Sequence, residues 1–393
     1  MSLLITIIIF AAVIIINFIP DIVRKSIDKK IIIFYSICLS VSFIVVVLAV
    51  SNIILPGPYE LVSFLLEDVA GLNFNLLKEC ENMDKSFITS KNAFSILFVM
   101  ILGNYLLLGS PFNAKQDSWI SILVTFAIMI PVTLIFSRLM KLYPEKNLFY
   151  MFFDAFGKAG GIIATVIFSL YAVLASAIVV QNYSRFFKII SLTNTPFIII
   201  TAGIVFAAIY LAKSGDSTLG KWSFAIIILL FLLIATAFLM TSQEYNFDNL
   251  FPVFSNGFDN IFAGSISLLA MAFGDIVLFL TLGDSIKKSS NSYKIFLSSI
   301  IITIVLMLLV FLKNLCVLGQ STMEITMFPS YAAARMASLS VFFERVEAVI
   351  SYYFVIAGIT KISVCIIAAA KGSAKILKIH EYKKTVMPVG LVV

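Results

Sequence analysis

Residues 260–282 read NIFAGSISLLAMAFGDIVLFLTL, an apolar run long enough to cross a bilayer but interrupted at Phe273-Gly274-Asp275. Residues 87–110, FITSKNAFSILFVMILGNYLLLGS, carry a second interruption at Gly103-Asn104. A helix in lipid must satisfy its own backbone polar groups, so a break at mid-depth persists only where it is packed in protein or lines a wet cavity. Paired breaks are typical of the solute site of an inverted-repeat carrier. The two segments therefore predict a site for a small solute.

The composition indicates an integral membrane protein. Of the 393 residues, 61% are hydrophobic and 12% are charged, and the mean hydropathy is +1.07. The charged fraction is about half that of a typical globular domain, and many apolar runs exceed the ~20 residues that span a bilayer. The runs do not alternate polar and apolar residues, as a transmembrane β-barrel requires. We therefore predict an all-α polytopic membrane protein.

Charge and reactive side chains exclude several other classes. The net charge is +7, but the lysines and arginines lie in short loops where membrane topology explains them, so no nucleic-acid partner is predicted. The four cysteines are scattered without a CxxC spacing, and His380 is the single histidine. Such residues cannot assemble a His/Cys metal site or a Ser-His-Asp triad. The sequence predicts no metal, no cofactor and no enzymatic activity.

Ten apolar segments are predicted to cross the membrane. Two of them, Leu3–Ile19 and Ile31–Leu55, make residues 1–86 an N-terminal two-helix membrane extension. Residues 87–393 form the core, with eight predicted spans: Phe87–Ser110, Ser118–Leu139, Gly160–Ser184, Pro196–Lys213, Trp222–Met240, Asn260–Leu282, Tyr293–Gly319 and Val341–Ala370. A last apolar stretch, Val386–Val393, is too short to cross.

Loop charges predict the orientation of the core. Four loops are basic: Arg138–Lys158, Lys213–Lys221, Asp284–Lys294 and Lys371–Lys384. The loop Thr241–Asp259 carries acidic residues and no lysine or arginine. The positive-inside rule places the basic loops in the cytoplasm.

Each interruption has a structural interpretation beside the functional one. Gly103 permits unwound backbone, but a glycine in a membrane helix also permits close helix packing. Asp275 at mid-membrane costs about 2.5–3.5 kcal/mol on the insertion scale, so it is retained for a role or for a partner. That partner is either a basic residue or an unpaired N–H.

Lys361 is a candidate partner, because it lies deep in the span Val341–Ala370. At helical rise it is about 15 Å from Lys371, too far for easy snorkelling to the surface. We hypothesise that its ammonium occupies the place of a coupling cation and holds loose carbonyls of the first span. The alternative is a lysine that faces a watery vestibule. Lys313, near the outer end of the seventh span, can snorkel.

Four motifs carry a family resemblance. They are Ala114–Ile120 (AKQDSWI), the stretch from Phe328-Pro329-Ser330-Tyr331 to Ala348, Lys361-Ile362-Ser363, and Phe273-Gly274-Asp275. Together they resemble the B subunits of bacterial spore germinant receptors. That family belongs to the amino acid–polyamine–organocation (APC) carrier superfamily. The resemblance runs in order from about Ile88 to Val393.

The resemblance implies a LeuT-like five-plus-five inverted-repeat bundle in the inner membrane of a spore or in the cell membrane. It implies binding of a small nutrient, commonly an amino acid, with a larger A subunit and a lipoprotein C subunit as partners. The ligand would lie at the two broken helices, with one wall from the third span. The ligand-binding residues implied by the resemblance are Leu102, Gly103, Asn104, Tyr105, Ala272, Phe273, Gly274 and Asp275, and Lys361 would substitute for a cation. The third span is expected to supply a wall near Ser169, Tyr171 and Ser176, of which we predict Tyr171 as a ligand-binding residue.

Three departures from the family pattern modify these expectations. Residues 1–87 are additional, Asp275 stands where the family usually has glutamate, and the chain ends at Val393, where a ninth span is expected. We therefore expect a core that lacks the last one to two spans. The leading hypothesis is a ligand-sensing receptor subunit. A proton-coupled amino-acid transporter of the same fold and a truncated subunit that is non-functional or serves assembly only are the alternatives.

Overall fold

A computed structural model of the protein describes residues 87–109, 113–337, 346–379 and 381–393, with the backbone alone over 346–353. The predicted N-terminal spans, Leu3–Ile19 and Ile31–Leu55, lie outside the described residues, and so does the start of the predicted span Val341–Ala370.

The described residues form helices joined by short connections. The α-helices are α1 (Ser90–Leu108), α2 (Ser118–Leu142), α3 (Leu148–Ile190), α4 (Phe197–Ser214), α5 (Asp216–Met240), α6 (Gly257–Leu268), α7 (Ser292–Ile325), α8 (Pro329–Ala337), α9 (Val346–Leu377) and α10 (Lys383–Val392). Short 3₁₀ turns cover Lys115–Asp117, Ser242–Glu244 and Phe247–Leu250.

Eight of the helical segments in the described part of the chain are long and apolar enough to cross a membrane, which confirms the predicted core spans. The third helix differs from its prediction, because it begins at Leu148 and kinks at Gly157, where φ is +67°. A glycine tolerates this left-handed conformation. The last long helix also continues past Ala370 to Leu377. The five-plus-five inverted repeat stays a prediction.

Side-chain caps fix where several helices begin. Thr89 Oγ1 accepts a hydrogen bond from Asn92 N at the start of α1, and Asn147 Oδ1 accepts one from Tyr150 N at the start of α3. Asn291 caps α7 in the same way. Such caps satisfy N–H groups that have no partner inside the helix.

Helices α1 and α9 are the most buried elements of the bundle. In α9 the segment Phe354–Leu377 is almost entirely enclosed, and it packs against α1, α3, α4 and α10. Helix α3 instead exposes an apolar stripe that includes Ile163, Ile167, Leu170, Leu174 and Ile178. Residues at this spacing share one helix face, which suits contact with lipid.

The sixth span changes its helix type twice. After α6 comes one π turn, Leu269–Phe273, and then a 3₁₀-helix, Gly274–Ser285. A 3₁₀-helix of 12 residues is long, since runs beyond three or four residues are uncommon. Its end is fixed to the start of α1, because Ile88 N donates to Ser285 O at 2.6 Å.

Candidate functional site

The predicted break at Gly103-Asn104 is wrong. Helix α1 continues without interruption through both residues. A Cβ atom added at Gly103 would lie 2.9 Å from the Cβ of Ala357, which is closer than such atoms approach. Gly103 therefore serves the close packing of α1 on α9, the structural interpretation given above.

A substitution at Gly103 tests this packing role. Gly103→Ala should lower the free energy of unfolding by about 1–3 kcal/mol, because the new methyl group overpacks the contact with Ala357. Thermal unfolding of the purified protein in detergent measures the change. The double variant Gly103→Ala/Ala357→Gly moves the methyl group to the other helix and should recover most of the loss. No recovery would show that Gly103 is needed for another reason.

The other predicted ligand residues of α1 have separate roles. Leu102 and Tyr105 are fully buried, and the Tyr105 hydroxyl donates to Met307 O at 3.0 Å, so both belong to the core. Asn104 Nδ2 donates to Met271 O, also at 3.0 Å, and joins α1 to the π turn. The Asn104 Oδ1 atom is buried and has no hydrogen-bond partner among the described residues.

The predicted interruption at Phe273-Gly274-Asp275 coincides with the change from π to 3₁₀ geometry. The chain stays helical there, since Gly274 has φ −56° and ψ −35°. The expectation of unwound backbone is therefore wrong, while the departure from α-helix at this place is confirmed. Ala272 and Phe273 are buried in the core.

Asp275 is the centre of a polar cluster in the apolar part of the bundle. Its Oδ2 lies 2.7 Å from Lys361 Nζ on α9, and its Oδ1 accepts a hydrogen bond of 2.7 Å from the Tyr171 hydroxyl on α3. The side chain of Lys361 is 2% exposed and that of Asp275 is 14% exposed. The structure thus brings together Asp275, Lys361 and Tyr171, which the sequence analysis had singled out separately.

The hypothesis for Lys361 needs one correction. Its ammonium contacts the Asp275 carboxylate instead of loose carbonyls of α1, because α1 is continuous. Beyond this ion pair, Lys361 Nζ has no directed hydrogen bond to the described residues. An ammonium has three donors, so the group retains capacity for a further acceptor.

Tyr183 is a site neighbour that the sequence reasoning missed. Its hydroxyl donates to Gly103 O at 3.1 Å, and its ring lies where a Cβ of Gly358 would be. Gly358 precedes Lys361 by three residues and so lies about one turn away on α9. The available sequence signal for this contact with Tyr183 was Gly358, a glycine one helical turn from the buried Lys361.

A second buried charge cluster lies at the predicted cytoplasmic end, around Lys371. Lys371 Nζ contacts Asp216 Oδ2 at 2.7 Å and Asp284 Oδ1 at 2.6 Å, and it donates to Thr281 O at 3.1 Å. Lys371 and Asp284 were predicted to lie in basic loops. Lys371 instead lies in α9, and Asp284 lies in the 3₁₀-helix.

Neighbouring side chains complete the Lys371 cluster. Ser285 and Tyr382 donate to Asp216, and Asn147 Nδ2 donates to Asp284 Oδ2. Burial, together with the Asp216 carboxylate, raises the pKa of Tyr382, so its hydroxyl keeps its proton and remains a donor. The cluster joins α5, the 3₁₀-helix, α9 and the segment before α10.

At the opposite end, the AKQDSWI motif anchors a loop. Asp117 is fully buried and accepts hydrogen bonds from Phe254 N, Asn256 N and Asn256 Nδ2. Gln116 Nε2 donates to Pro252 O and to Ser255 Oγ. The motif therefore fixes the connection that leads into α6.

Lys313 does not snorkel. It is buried, and it lines a small cavity of about 20 Å³ with Leu106, Val310, Ser330 and Phe354 among its neighbours. A larger open cavity of about 380 Å³ lies near the predicted cytoplasmic end, beside Met140 and Tyr293.

Fold and site together define a polytopic α-helical membrane protein with a buried ion pair where its sixth span changes helix type. The family described as "Spore germination protein" has a sequence model that matches residues 87–393. Spore germination protein KB of Bacillus subtilis (strain 168) is 22% identical over 312 residues, which cover 79% of this chain and 84% of that protein. The putative spore germination protein YfkT of the same organism is 26% identical over 243 residues, which cover 62% of this chain and 66% of that protein.

The chain belongs to the spore germination protein family. It is a multi-pass membrane protein of the spore inner membrane or the cell membrane. The family is defined by spore germination and is not an enzyme family.

Proposed function

We propose that the protein is the membrane subunit of a spore nutrient germinant receptor and binds a small nutrient, an amino acid, beside Asp275. Its binding would help to trigger germination together with an A subunit and a lipoprotein C subunit. The observation that carries the proposal is the Asp275–Lys361 pair at the change of helix type, in which the lysine is buried, with the hydrogen bond from the more exposed Tyr171 to Asp275.

The chemistry of this cluster suits a zwitterion. Lys361 has unused donors for a carboxylate, and Asp275 is an acceptor for an ammonium group. The segments around the cluster are closely packed, since Leu102, Tyr105, Ala272 and Phe273 are all buried. Binding would therefore favour a second packing of the sixth span against α1 and α9. A sensor requires only a differential affinity for two states, typically 1–3 kcal/mol.

A thermal-shift screen tests nutrient binding. The purified protein is heated with each common amino acid, and at least one should raise the midpoint of unfolding. A valine at position 274 would project toward the Tyr171 hydroxyl, which lies 3.6 Å from the position of its Cβ. Gly274→Val should therefore abolish the shift for the same amino acid. A screen in which no amino acid stabilises the folded wild type would contradict the proposal.

A proton-coupled amino-acid transporter is the second candidate. The buried Asp275–Lys361 pair favours it, because an acid and a base in contact inside a span are typical of proton relays. Reconstituted vesicles separate the two functions. Accumulation of labelled amino acid driven by a proton gradient would support transport, while binding without accumulation would support a sensor.

A further inference from the structure

The 3₁₀-helix Gly274–Ser285 turns one stripe of residues toward α9. Three residues complete a turn of a 3₁₀-helix, so residues three apart share a face. Asp275, Leu278, Thr281 and Asp284 form such a stripe. The two carboxylates are nine residues, or three full turns, apart.

Each member of this stripe meets α9 or its neighbour α3. Asp275 pairs with Lys361 at one end, and Asp284 pairs with Lys371 at the other. Between them, Leu278 packs in a buried cluster with Cys365, Ala368 and Ala369. The Thr281 carbonyl accepts a hydrogen bond from Lys371. In both ion pairs the carboxylate belongs to the 3₁₀-helix and the ammonium belongs to α9. The two pairs therefore lie on either side of the apolar contact of Leu278, and the 3₁₀-helix and α9 run in the same direction.

An α-helical form of this segment would lose that arrangement. At 3.6 residues per turn, nine residues complete two and a half turns, so Asp275 and Asp284 would point to opposite faces. The 3₁₀ form alone presents both carboxylates to α9. Because long 3₁₀ runs are uncommon, external contacts are needed to hold this one.

We infer that the Asp275–Lys361 and Asp284–Lys371 pairs act as a two-ended clamp that holds Gly274–Ser285 in its 3₁₀ register. Release of either pair frees the segment to rotate about its axis, and this motion couples the Asp275 site to the predicted cytoplasmic end. Asp216 and Tyr382 connect the same end to α5 and to the chain before α10. The clamp does not depend on which solute the site binds.

Hydrogen exchange of the full-length protein, followed by mass spectrometry, tests the clamp. Lys371→Met should speed amide exchange about tenfold or more over the whole of residues 274–285. The faster exchange should extend to the Asp275 end of the segment. At the translation per residue of a 3₁₀-helix, that end is about 18 Å from the lost Lys371 contact. Asp284→Asn, a milder change at a partly exposed position, should act in the same direction and covers the case in which Lys371→Met fails to fold.

Lys375→Met is the matched control. It removes the same charge from the same helix, but Lys375 lies over the Tyr150 ring and is outside the clamp. It should leave exchange in residues 274–285 unchanged. Three results would overturn the inference: no faster exchange in either clamp variant, an equal rise in α2 and α7, or a rise confined to residues 281–285.

Discussion

Lys361→Met is expected to lower the free energy of unfolding by about 3–5 kcal/mol, because the largely enclosed Asp275 carboxylate would lose its cation. Asp275→Leu should cost a comparable amount by stranding the ammonium of Lys361. The double variant Lys361→Met/Asp275→Leu removes both charges and should lose less than either single variant. Unfolding in detergent, followed by the fluorescence of Trp119 and Trp222, measures each change.

The non-additivity is the decisive part of this prediction. Contacting partners show interaction energies, whereas independent positions add. Lys288→Met, at an exposed lysine, is the control and should change stability by less than about 0.5 kcal/mol. If the double variant lost the sum of the two single losses, Lys361 and Asp275 would not be a pair in the folded protein.

Asp117→Ala should destabilise the protein by an amount on the order of 3–5 kcal/mol. The change leaves Phe254 N, Asn256 N and Asn256 Nδ2 without their acceptor, and an unpaired buried polar group costs about 1–3 kcal/mol. Asp117→Asn retains a carbonyl oxygen and should cost less.

The loss at Asp117 should be visible locally as well. Limited proteolysis should cut the connection around Phe254 faster in Asp117→Ala, while Asp259→Ala, at an exposed acid on the same side, should behave like the wild type. Equal proteolysis of both variants would mean that Asp117 does not hold this connection.

The membrane spans were predictable because the bilayer imposes a length and a composition on each one. Apolar runs identify helices from Ser90 to Leu377 whatever packs against them. The kink at Gly157 and the extension of α9 beyond Ala370 were not predicted, because the length of an apolar run fixes neither where a helix kinks nor how far it continues past the lipid.

The two glycine-centred interruptions show what a sequence pattern can decide. Gly274 is followed by a carboxylate whose burial requires a partner, and that cost marks a real departure from α-helix. Gly103 has only Asn104 beside it, and its contact with Ala357 is a tertiary property that no local pattern contains.

The Lys371 cluster was missed for a different reason. Loop charge predicts topology, so Asp284 and Lys371 were assigned to solvated loops. The spacing of nine between Asp275 and Asp284 is a multiple of three, and it matches the 3₁₀ stripe. Nothing in the sequence predicts a 3₁₀-helix of 12 residues. The spacing of Asp275 and Asp284 could therefore be interpreted only once the helix type was known.

A structure of the protein with the amino acid found in the thermal-shift screen tests the central claim most directly. Cryo-electron microscopy should show the ligand within hydrogen-bond distance of Asp275 or Lys361, with the direct contact of these two residues altered. Ligand density elsewhere, for instance in the cavity beside Met140 and Tyr293, with the Asp275–Lys361 pair intact, would contradict it.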